Sequence, residues 1–152
     1  MKFTKKQIER YSRQIILKKI GVIGQKKLLK SSVLIVGAGG LGSPIAIYLA
    51  AVGIGKIGII DKDNIEISNL SRQIIFSTND LKKNKSSTAI GKLRKINPDI
   101  QFKSFKKKLV KKNINQIAKN FDLIVDGSDN FRTRFLINDY CLKNKKILVS
   151  GA

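Results

Sequence analysis

The sequence contains no histidine and no tryptophan, and it has only one cysteine, one methionine and two prolines. Without histidine, the chain has no Ser-His-Asp triad, no histidine metal ligand and no imidazole acid–base chemistry. The single Cys141 excludes a disulfide within the chain and a zinc site built from this chain alone. No apolar run approaches the roughly 18 residues that a membrane-spanning helix needs. Any catalysis must therefore use other side chains.

Acidic residues are also scarce, at 10 against 31 lysines and arginines, for a net charge of +21. The cations are scattered along the whole chain, and no zinc-finger, helix-turn-helix or RNP signature accompanies them. We interpret them as a solvated basic surface with a general attraction to polyanions, and we do not expect specific nucleic-acid binding. Two acidic clusters stand out against this background: Asp61, Asp63 and Glu66, and later Asp126 with Asp129.

The length of 152 residues and the 42% hydrophobic content fit one domain with a real core. The first ten residues, MKFTKKQIER, lack the apolar run of a secretory signal, which predicts a cytoplasmic protein with no membrane association.

Strand-like and helix-like segments alternate along the chain. A capping box at Thr4 and Gln7 opens a first helix, which we expect Gly21 to end. Residues 1–30 are predicted to form N-terminal helices and residues 31–152 a Rossmann-like α/β core, with a parallel sheet covered by helices on both faces. Predicted strands are 33–36, 56–60, 100–105, 121–125 and 146–149, and predicted helices are 25–29, 41–52, 86–96, 112–120 and 130–143. The polar segment 62–84 is too long for a plain connection and is typical of a functional loop.

A glycine-rich turn follows the first predicted strand. Gly37, Gly39 and Gly42 satisfy G-x-G-x-x-G between a strand and a helix, where glycine lets the backbone approach a phosphate at a helix N-terminus. Asp61 lies 19 residues beyond Gly42, at the tip of the next strand, where a carboxylate can accept hydrogen bonds from ribose. Together these residues predict a nucleotide-binding site without saying which nucleotide.

The residues after Asp61 favour ATP over a nicotinamide cofactor. Arg72 and Lys85 could neutralise phosphate oxygens, and the Asp126–Asn130 segment follows a later strand at the same edge. Carboxylate oxygen suits Mg²⁺, which takes one or two carboxylates plus substrate phosphates. Cations and an acid around one nucleotide fit phosphoryl or nucleotidyl transfer better than hydride transfer.

Five segments occur in a fixed order: 10–16 (RYSRQII), 36–42 (VGAGGLG), 61–63 (DKD), 68–73 (SNLSRQ) and 126–130 (DGSDN). With this set the chain resembles the ThiF/MoeB/HesA family, the bacterial relatives of ubiquitin-activating enzymes, from Arg10 to Ala152. The resemblance implies an ATP-dependent adenylyltransferase. Such an enzyme joins AMP to the C-terminal glycine of a ubiquitin-like sulfur carrier of the MoaD or ThiS type, for molybdopterin or thiamine biosynthesis.

The resemblance also implies roles for individual residues, with ATP and Mg²⁺ as cofactors. Arg13 corresponds to an arginine finger that reaches the ATP of the other subunit in a homodimer, and Asp129 to the Mg²⁺ ligand. The implied catalytic residues are Arg13, Arg72, Lys85 and Asp129. The implied nucleotide-binding residues are Gly37, Gly39, Gly40, Gly42, Asp61, Asp63, Ser68, Asn69, Arg72, Gln73, Lys85, Asp129 and Asn130.

Members of this family are usually longer, so we expect this chain to be their N-terminal nucleotide-binding half. The part not present here normally supplies two CxxC pairs for a structural zinc and the groove for the carrier's tail. Three alternatives remain open: a tRNA-modifying dehydratase of the same family, an NAD(P)-binding Rossmann module, and an inactive truncated nucleotide-binding fragment. Arg132, Arg134 and Cys141 lie outside the motifs, and we expect a surface or ion-paired role for the arginines and a buried thiol for the cysteine.

Overall fold

The computed structural model describes residues 2–151 and shows a parallel sheet flanked by helices. The strands are β1 (Ser32–Val36), β2 (Lys56–Ile60), β3 (Gln101–Phe105), β4 (Leu123–Asp126) and β5 (Ile147–Ser150). The helices are α1 (Lys5–Ile15), α2 (Gly21–Lys30), α3 (Gly42–Val52), α4 (Lys85–Ile96), α5 (Ile114–Ala118) and α6 (Phe131–Lys143). Two short 3₁₀ helices, Ile67–Asn69 and Thr78–Asp80, lie between β2 and α4.

The strand order is β3-β2-β1-β4-β5, and every neighbouring pair is parallel. The ends of the central strands are level, because Val36 of β1 pairs with Ile60 of β2 and with Asp126 of β4. The order in which the chain connects the strands reverses between β1 and β4, and open α/β sheets bind ligands in the crevice at such a point. The sheet therefore places the loops after β1, β2 and β4 side by side at its carboxyl edge.

Each face of the sheet has its own core, since successive side chains of a strand point to opposite faces. In β1, Val33 and Ile35 join the cluster that α3 and α4 cover, whereas Leu34 and Val36 join the cluster under α5 and α6. The predicted fold class, a Rossmann-like parallel sheet with helices on both faces, is thus confirmed.

Most predicted elements occur within one or two residues of their expected bounds, but the N-terminal segment differs. Helix α1 ends at Ile15, and Gly21 begins α2 instead of ending α1. Gly21 has φ +57°, a left-handed conformation that glycine adopts without steric cost, and this redirects the chain from the turn after α1 into α2. None of the helices that the structure describes is long and apolar enough to cross a membrane.

Helix α1 packs at the end of the molecule opposite the carboxyl edge. Its one buried residue, Tyr11, lies beside Gly53 at the end of α3, and the Arg10 guanidinium donates a hydrogen bond of 2.9 Å to the carbonyl of Ile96 at the end of α4. Helices α3 and α4 begin at the carboxyl edge and extend about 16 and 18 Å, at 1.5 Å per residue. Helix α1 is therefore separated from that edge by the length of these helices.

Candidate functional site

A cleft of about 710 Å³ opens at the carboxyl edge of the sheet, within the size range of small-molecule sites. Helices α3, α4 and α6 all begin at this edge, so the positive ends of three helix dipoles face it. We call it the carboxyl-edge cleft. Its lining includes eleven of the fourteen residues predicted for the site: Gly37, Gly39, Gly40, Asp61, Asp63, Asn69, Arg72, Gln73, Lys85, Asp129 and Asn130.

The glycines of the loop after β1 have two different roles. At Gly42 a Cβ atom would lie 1.9 Å from the carbonyl oxygen of Gly37, and at Gly37, with φ +91°, it would lie 2.9 Å from that of Gly127. These two positions need glycine because backbone segments touch there, and Gly42 does not line the cleft. At Gly39 and Gly40 the nearest atoms belong to side chains at 3.5 Å or more. Gly39 and Gly40 are therefore the positions where the loop backbone is open to a ligand.

Asp61 fastens this loop to the end of β2. One carboxylate oxygen accepts a hydrogen bond from the backbone N–H of Ala38, and the other accepts one from that of Asp63, each at 2.8 Å. Burial raises the pKa of Asp61, while the two hydrogen bonds and the charge of Lys85 act in the opposite direction. Asp61 thus holds the loop in place and still presents part of its carboxylate to the cleft.

The long segment after β2 folds over the cleft and supplies polar groups from its first 3₁₀ helix onward. Asn69 is buried, and its side-chain oxygen accepts a hydrogen bond of 3.1 Å from the Glu66 backbone. Arg72 donates to the carbonyl of Ser68 at 3.0 Å, which directs its stem past Gly40. Ser68 itself does not line the cleft, so its contribution in this structure is to hold Arg72.

Gln73 places a buried side-chain oxygen without a hydrogen-bond partner at the cleft, as judged over residues 2–151. The side chain is 3% exposed and lines the cleft, and its carbonyl oxygen has no hydrogen-bond partner in that range. Because an unsatisfied buried acceptor is costly, this oxygen is available to a donor that enters the cleft.

Lys85 is the first residue of α4 and is only 8% exposed. It forms no ion pair with any residue between 2 and 151, although its charge lowers the pKa of Asp61. A cation at a helix N-terminus is opposed by the helix dipole. A buried, unpaired lysine at that position is unfavourable for the empty protein and favourable for a bound anion. Asp63 differs, since its side chain is exposed and pairs with Lys62 at 3.6 Å.

The loop after β4 is organised around a buried carboxylate. Asp126, 1% exposed, accepts hydrogen bonds from the backbone N–H and the hydroxyl of Ser128 at 2.9 and 2.6 Å. Asn130 caps α6 by accepting from the N–H of Thr133 at 3.0 Å. Asp129 is exposed in the cleft between them. Within residues 2–151 there is no cluster of three acidic, histidine or cysteine side chains that could hold a metal without help from a ligand.

Three cationic residues of the cleft were not predicted from the sequence. Lys107 and Lys108 follow β3 at the carboxyl edge, and Arg134 lies in α6. Arg134 donates to the carbonyls of Ser128 (3.3 Å) and Gly151 (3.0 Å) and lies 3.9 Å from the Asp126 carboxylate, which confirms an ion-paired role. The position of the two lysines directly after a strand was a usable signal, but it was hidden among 25 lysines.

Arg13 lies outside the cleft of its own chain. It is exposed on α1 and, two residues after the buried Tyr11, points about 200° away from it around the helix. The predicted buried state of Cys141 is confirmed, and burial raises the pKa of its thiol.

Comparison with known proteins shows what this arrangement is similar to. A model of the ThiF family matches residues 11–152. The chain belongs to the ThiF family. It is 42% identical over 152 residues to the sulfur carrier protein adenylyltransferase of Thermus thermophilus, covering 100% of this chain and 56% of that protein. It is 47% identical over 150 residues to a probable molybdopterin-synthase adenylyltransferase of Porphyra purpurea, covering 99% of this chain and 39% of that protein. The chain thus spans about half, or less, of the length of these relatives.

Solved structures that superpose on this chain contain nucleotides. The E. coli tRNA N6-threonylcarbamoyladenosine dehydratase TcdA, in complex with ATP, superposes with a TM-score of 0.92 at 25% identity, covering 99% of this chain and 61% of that one. E. coli MccB with ATP gives a TM-score of 0.85 at 30% identity, covering 94% of this chain and 44% of that one. The predicted family and fold are confirmed, and ATP is bound in both of these relatives.

Proposed function

We propose that this chain is the nucleotide-binding part of an ATP-dependent adenylyltransferase that activates the C-terminal glycine of a ubiquitin-like sulfur-carrier protein. The observation that carries the proposal is the buried Lys85 at the start of α4, which has no ion-pair partner among residues 2–151 and lies in a cleft with the open backbone of Gly39 and Gly40. These groups suit a polyphosphate. The names of the two relatives described above, a sulfur carrier protein adenylyltransferase and a probable molybdopterin-synthase adenylyltransferase, support the same choice.

The proposed reaction needs no side-chain nucleophile, which agrees with a chain that lacks histidine and buries its one cysteine. A carboxylate oxygen of the carrier's terminal glycine attacks the α-phosphorus of ATP. A bond forms between that oxygen and phosphorus, the bond between the α-phosphorus and the bridging oxygen breaks, and pyrophosphate leaves with the electron pair. The enzyme has to align two anions and neutralise the charge that develops, which are tasks for Arg72 and Lys85.

The nucleotide is proposed to lie with its ribose near Asp61 and its phosphates toward Gly40, Arg72 and Lys85. Asn69, Gln73 and Asn130 would add polar contacts around it. Gly37, Gly42 and Ser68, by contrast, act through the backbone in this structure, so we assign them a supporting role.

Asp129 fits Mg²⁺ only together with phosphate oxygens. Mg²⁺ usually takes one or two carboxylates and completes its shell with waters and substrate phosphates. One exposed carboxylate beside a cation-lined cleft is such a partial site. When bound, the ion would neutralise charge on the phosphates.

Arg13 is proposed to act in the cleft of a second copy. It cannot reach its own cleft, because α1 packs at the far ends of α3 and α4, about 16 Å or more away. A homodimer is further supported by large apolar side chains that the N-terminal segment exposes: Ile8, Ile16, Leu17, Val22 and Ile23. Burial of this surface against a second copy would place two α1 helices and two clefts in one assembly.

Exchange of labelled pyrophosphate into ATP tests the function. We expect exchange that depends on a carrier ending in Gly-Gly, and its loss in Arg13→Ala by about 10³-fold or more, as for arginine fingers in phosphoryl transfer. Arg94→Ala, which removes an exposed arginine of α4, is the matched control and should be unaffected. Normal exchange in Arg13→Ala would remove Arg13 from the reaction.

A tRNA-modifying dehydratase is the second candidate, favoured by the TM-score of 0.92 to TcdA and by the net charge of +21. The identity of 25% to that enzyme, against 42% and 47% to the adenylyltransferases, favours the carrier-dependent function. Exchange that requires tRNA instead of a carrier would select the dehydratase. Binding of NADH without ATP would indicate a nicotinamide module, and ATP binding without exchange an inactive fragment. The pathway served, molybdopterin or thiamine, and the cytoplasmic location stay predictions.

A further inference from the structure

Tyr11 and Asn97, two polar residues far apart in the sequence, form the buried contact that holds α1 against the rest of the domain. The side-chain amide of Asn97 donates to the Tyr11 hydroxyl at 2.9 Å and to the carbonyl of Ala50 at 2.8 Å. Tyr11 and Asn97 are both 0% exposed, so this network is closed to solvent. The five segments that define the resemblance include Tyr11 but give it no role, and they do not include Asn97.

Tyr11 packs tightly against the end of α3. A Cβ atom at Gly53, which ends α3 with φ +85°, would lie 2.6 Å from the Tyr11 ring, so only glycine leaves room for the phenol. Arg10 adds a second attachment through its hydrogen bond to Ile96 and an ion pair with Asp99 at 3.4 Å. Because Tyr11 is the one buried residue of α1, the direction of the whole helix depends on the contacts of Tyr11 with Asn97 and Gly53.

Arg13 is carried by the same helix on the side that faces away from the domain. From these contacts we infer that Tyr11 and Asn97 are positioning residues, which aim Arg13 at the nucleotide of the partner subunit. The inference rests on the proposed function, since it assumes that Arg13 acts on ATP in a second copy. Its specific content is that the Tyr11 hydroxyl acts on the partner's reaction and not on that of its own chain.

Hybrid dimers of the full chain can separate these two effects. One chain carries Arg72→Ala, which disables its own cleft but keeps α1, and the other carries Arg13→Ala, which keeps the cleft but lacks the finger. Neither variant alone should catalyse pyrophosphate exchange with a carrier ending in Gly-Gly. A mixture should recover exchange, because each hybrid contains one cleft served by the other chain's Arg13.

Tyr11→Phe is then placed on either chain of the hybrid. On the Arg72→Ala chain, which supplies the finger, it should lower exchange by about threefold to tenfold, the worth of one buried hydrogen bond. On the Arg13→Ala chain it should have no effect. Tyr48→Phe, at an exposed tyrosine of α3, is the matched control and should be silent on both chains.

Comparing Tyr11→Phe on the two chains distinguishes a positioning role of Tyr11 from a general loss of stability. A loss of stability alone would lower pyrophosphate exchange equally from either chain. Equal loss, or no loss from either, would overturn the inference and leave the proposed function standing. Failure of the mixture to recover exchange, with Arg13→Ala active alone, would overturn the action of Arg13 on a partner and the inference together.

Discussion

Replacement of Lys85 by methionine should strengthen the fold and weaken nucleotide binding at the same time. Lys85 is only 8% exposed, and its ammonium group has no ion-pair partner among residues 2–151. It also stands at the start of α4, where the helix dipole opposes a cation by about 0.3–1 kcal/mol. Methionine has a similar length and carries neither penalty. We therefore expect the free energy of unfolding to rise by about 1 kcal/mol, and the Tm by about 2–4 °C.

The same substitution should cost most of the affinity for MgATP. A hydrogen bond to a charged group contributes about 1.5–3 kcal/mol, which corresponds to a Kd raised about 10- to 150-fold. Isothermal titration calorimetry measures this affinity, and thermal unfolding without ligand measures the stability. Because the Lys85 charge lowers the pKa of Asp61, its removal should raise that pKa further. On acidification, nucleotide affinity should then be lost at a higher pH in the variant than in the wild type.

Lys95→Met is the matched control, since Lys95 is exposed in the last turn of the same helix, where the dipole favours a cation. Its MgATP affinity should match that of the wild type, and its Tm should not rise. The reasoning fails if Lys85→Met unfolds at a lower temperature and binds MgATP normally, because the ammonium would then be a structural group.

Three further predictions test other parts of the structure. Gly40→Ala should leave the Tm unchanged while weakening MgATP binding at least about tenfold. Gly42→Ala, whose Cβ would lie 1.9 Å from a carbonyl oxygen, should destabilise the fold by more than about 3 kcal/mol. Equal effects of the two variants on the Tm would contradict the two roles. Burial alone would raise the pKa of Asp80, but hydrogen bonds from Lys92 and Ser77 bring it to about 2. In urea titrations, wild-type stability should therefore fall by about 1–2 kcal/mol as the pH drops from near 4 toward 2. Lys92→Met should lose the part of this dependence that Lys92 causes and keep the part due to the Ser77 hydrogen bonds; a pH profile unchanged from the wild type would exclude the pair. Cys141 should react with a thiol reagent only after unfolding, because it is buried with a raised pKa; fast labelling of folded protein would disprove that.

The sheet could be predicted from the sequence because four of its five strands are short, mainly apolar runs between clear breaks, and β3 alternates polar and apolar residues. The strand predicted at 33–36 is observed as β1, one residue longer, and β2 has its predicted bounds. The glycine motif and Asp61 were predicted from their spacing, since close backbone approach and a carboxylate at a strand tip leave a fixed pattern. In these cases the residues that have to act together belong to one strand or to two consecutive strands of the chain.

The remaining features depend on residues that only the fold brings together. Gly40 and Gly42 are the same letter in the sequence, yet one is open to the cleft and the other touches the backbone at Gly37. The bond between Tyr11 and Asn97 joins residues 86 positions apart, so no local pattern could reveal it. Arg134 is directed into the cleft by two carbonyls and by Asp126, contacts that exist only once β4, β5 and α6 are adjacent.

Because α3, α4 and α6 begin at the same edge of the sheet, their helix dipoles point the same way and make that edge more positive than the side-chain charges alone would. The lysines spread over the surface attract any polyanion almost evenly, and added salt weakens that attraction. The aligned peptide groups add to this attraction at one end only, in a cleft where partly buried charges such as Lys85 are screened less by salt. Rising ionic strength should therefore strip nonspecific polyanions from the surface well before it displaces a nucleotide from the carboxyl-edge cleft.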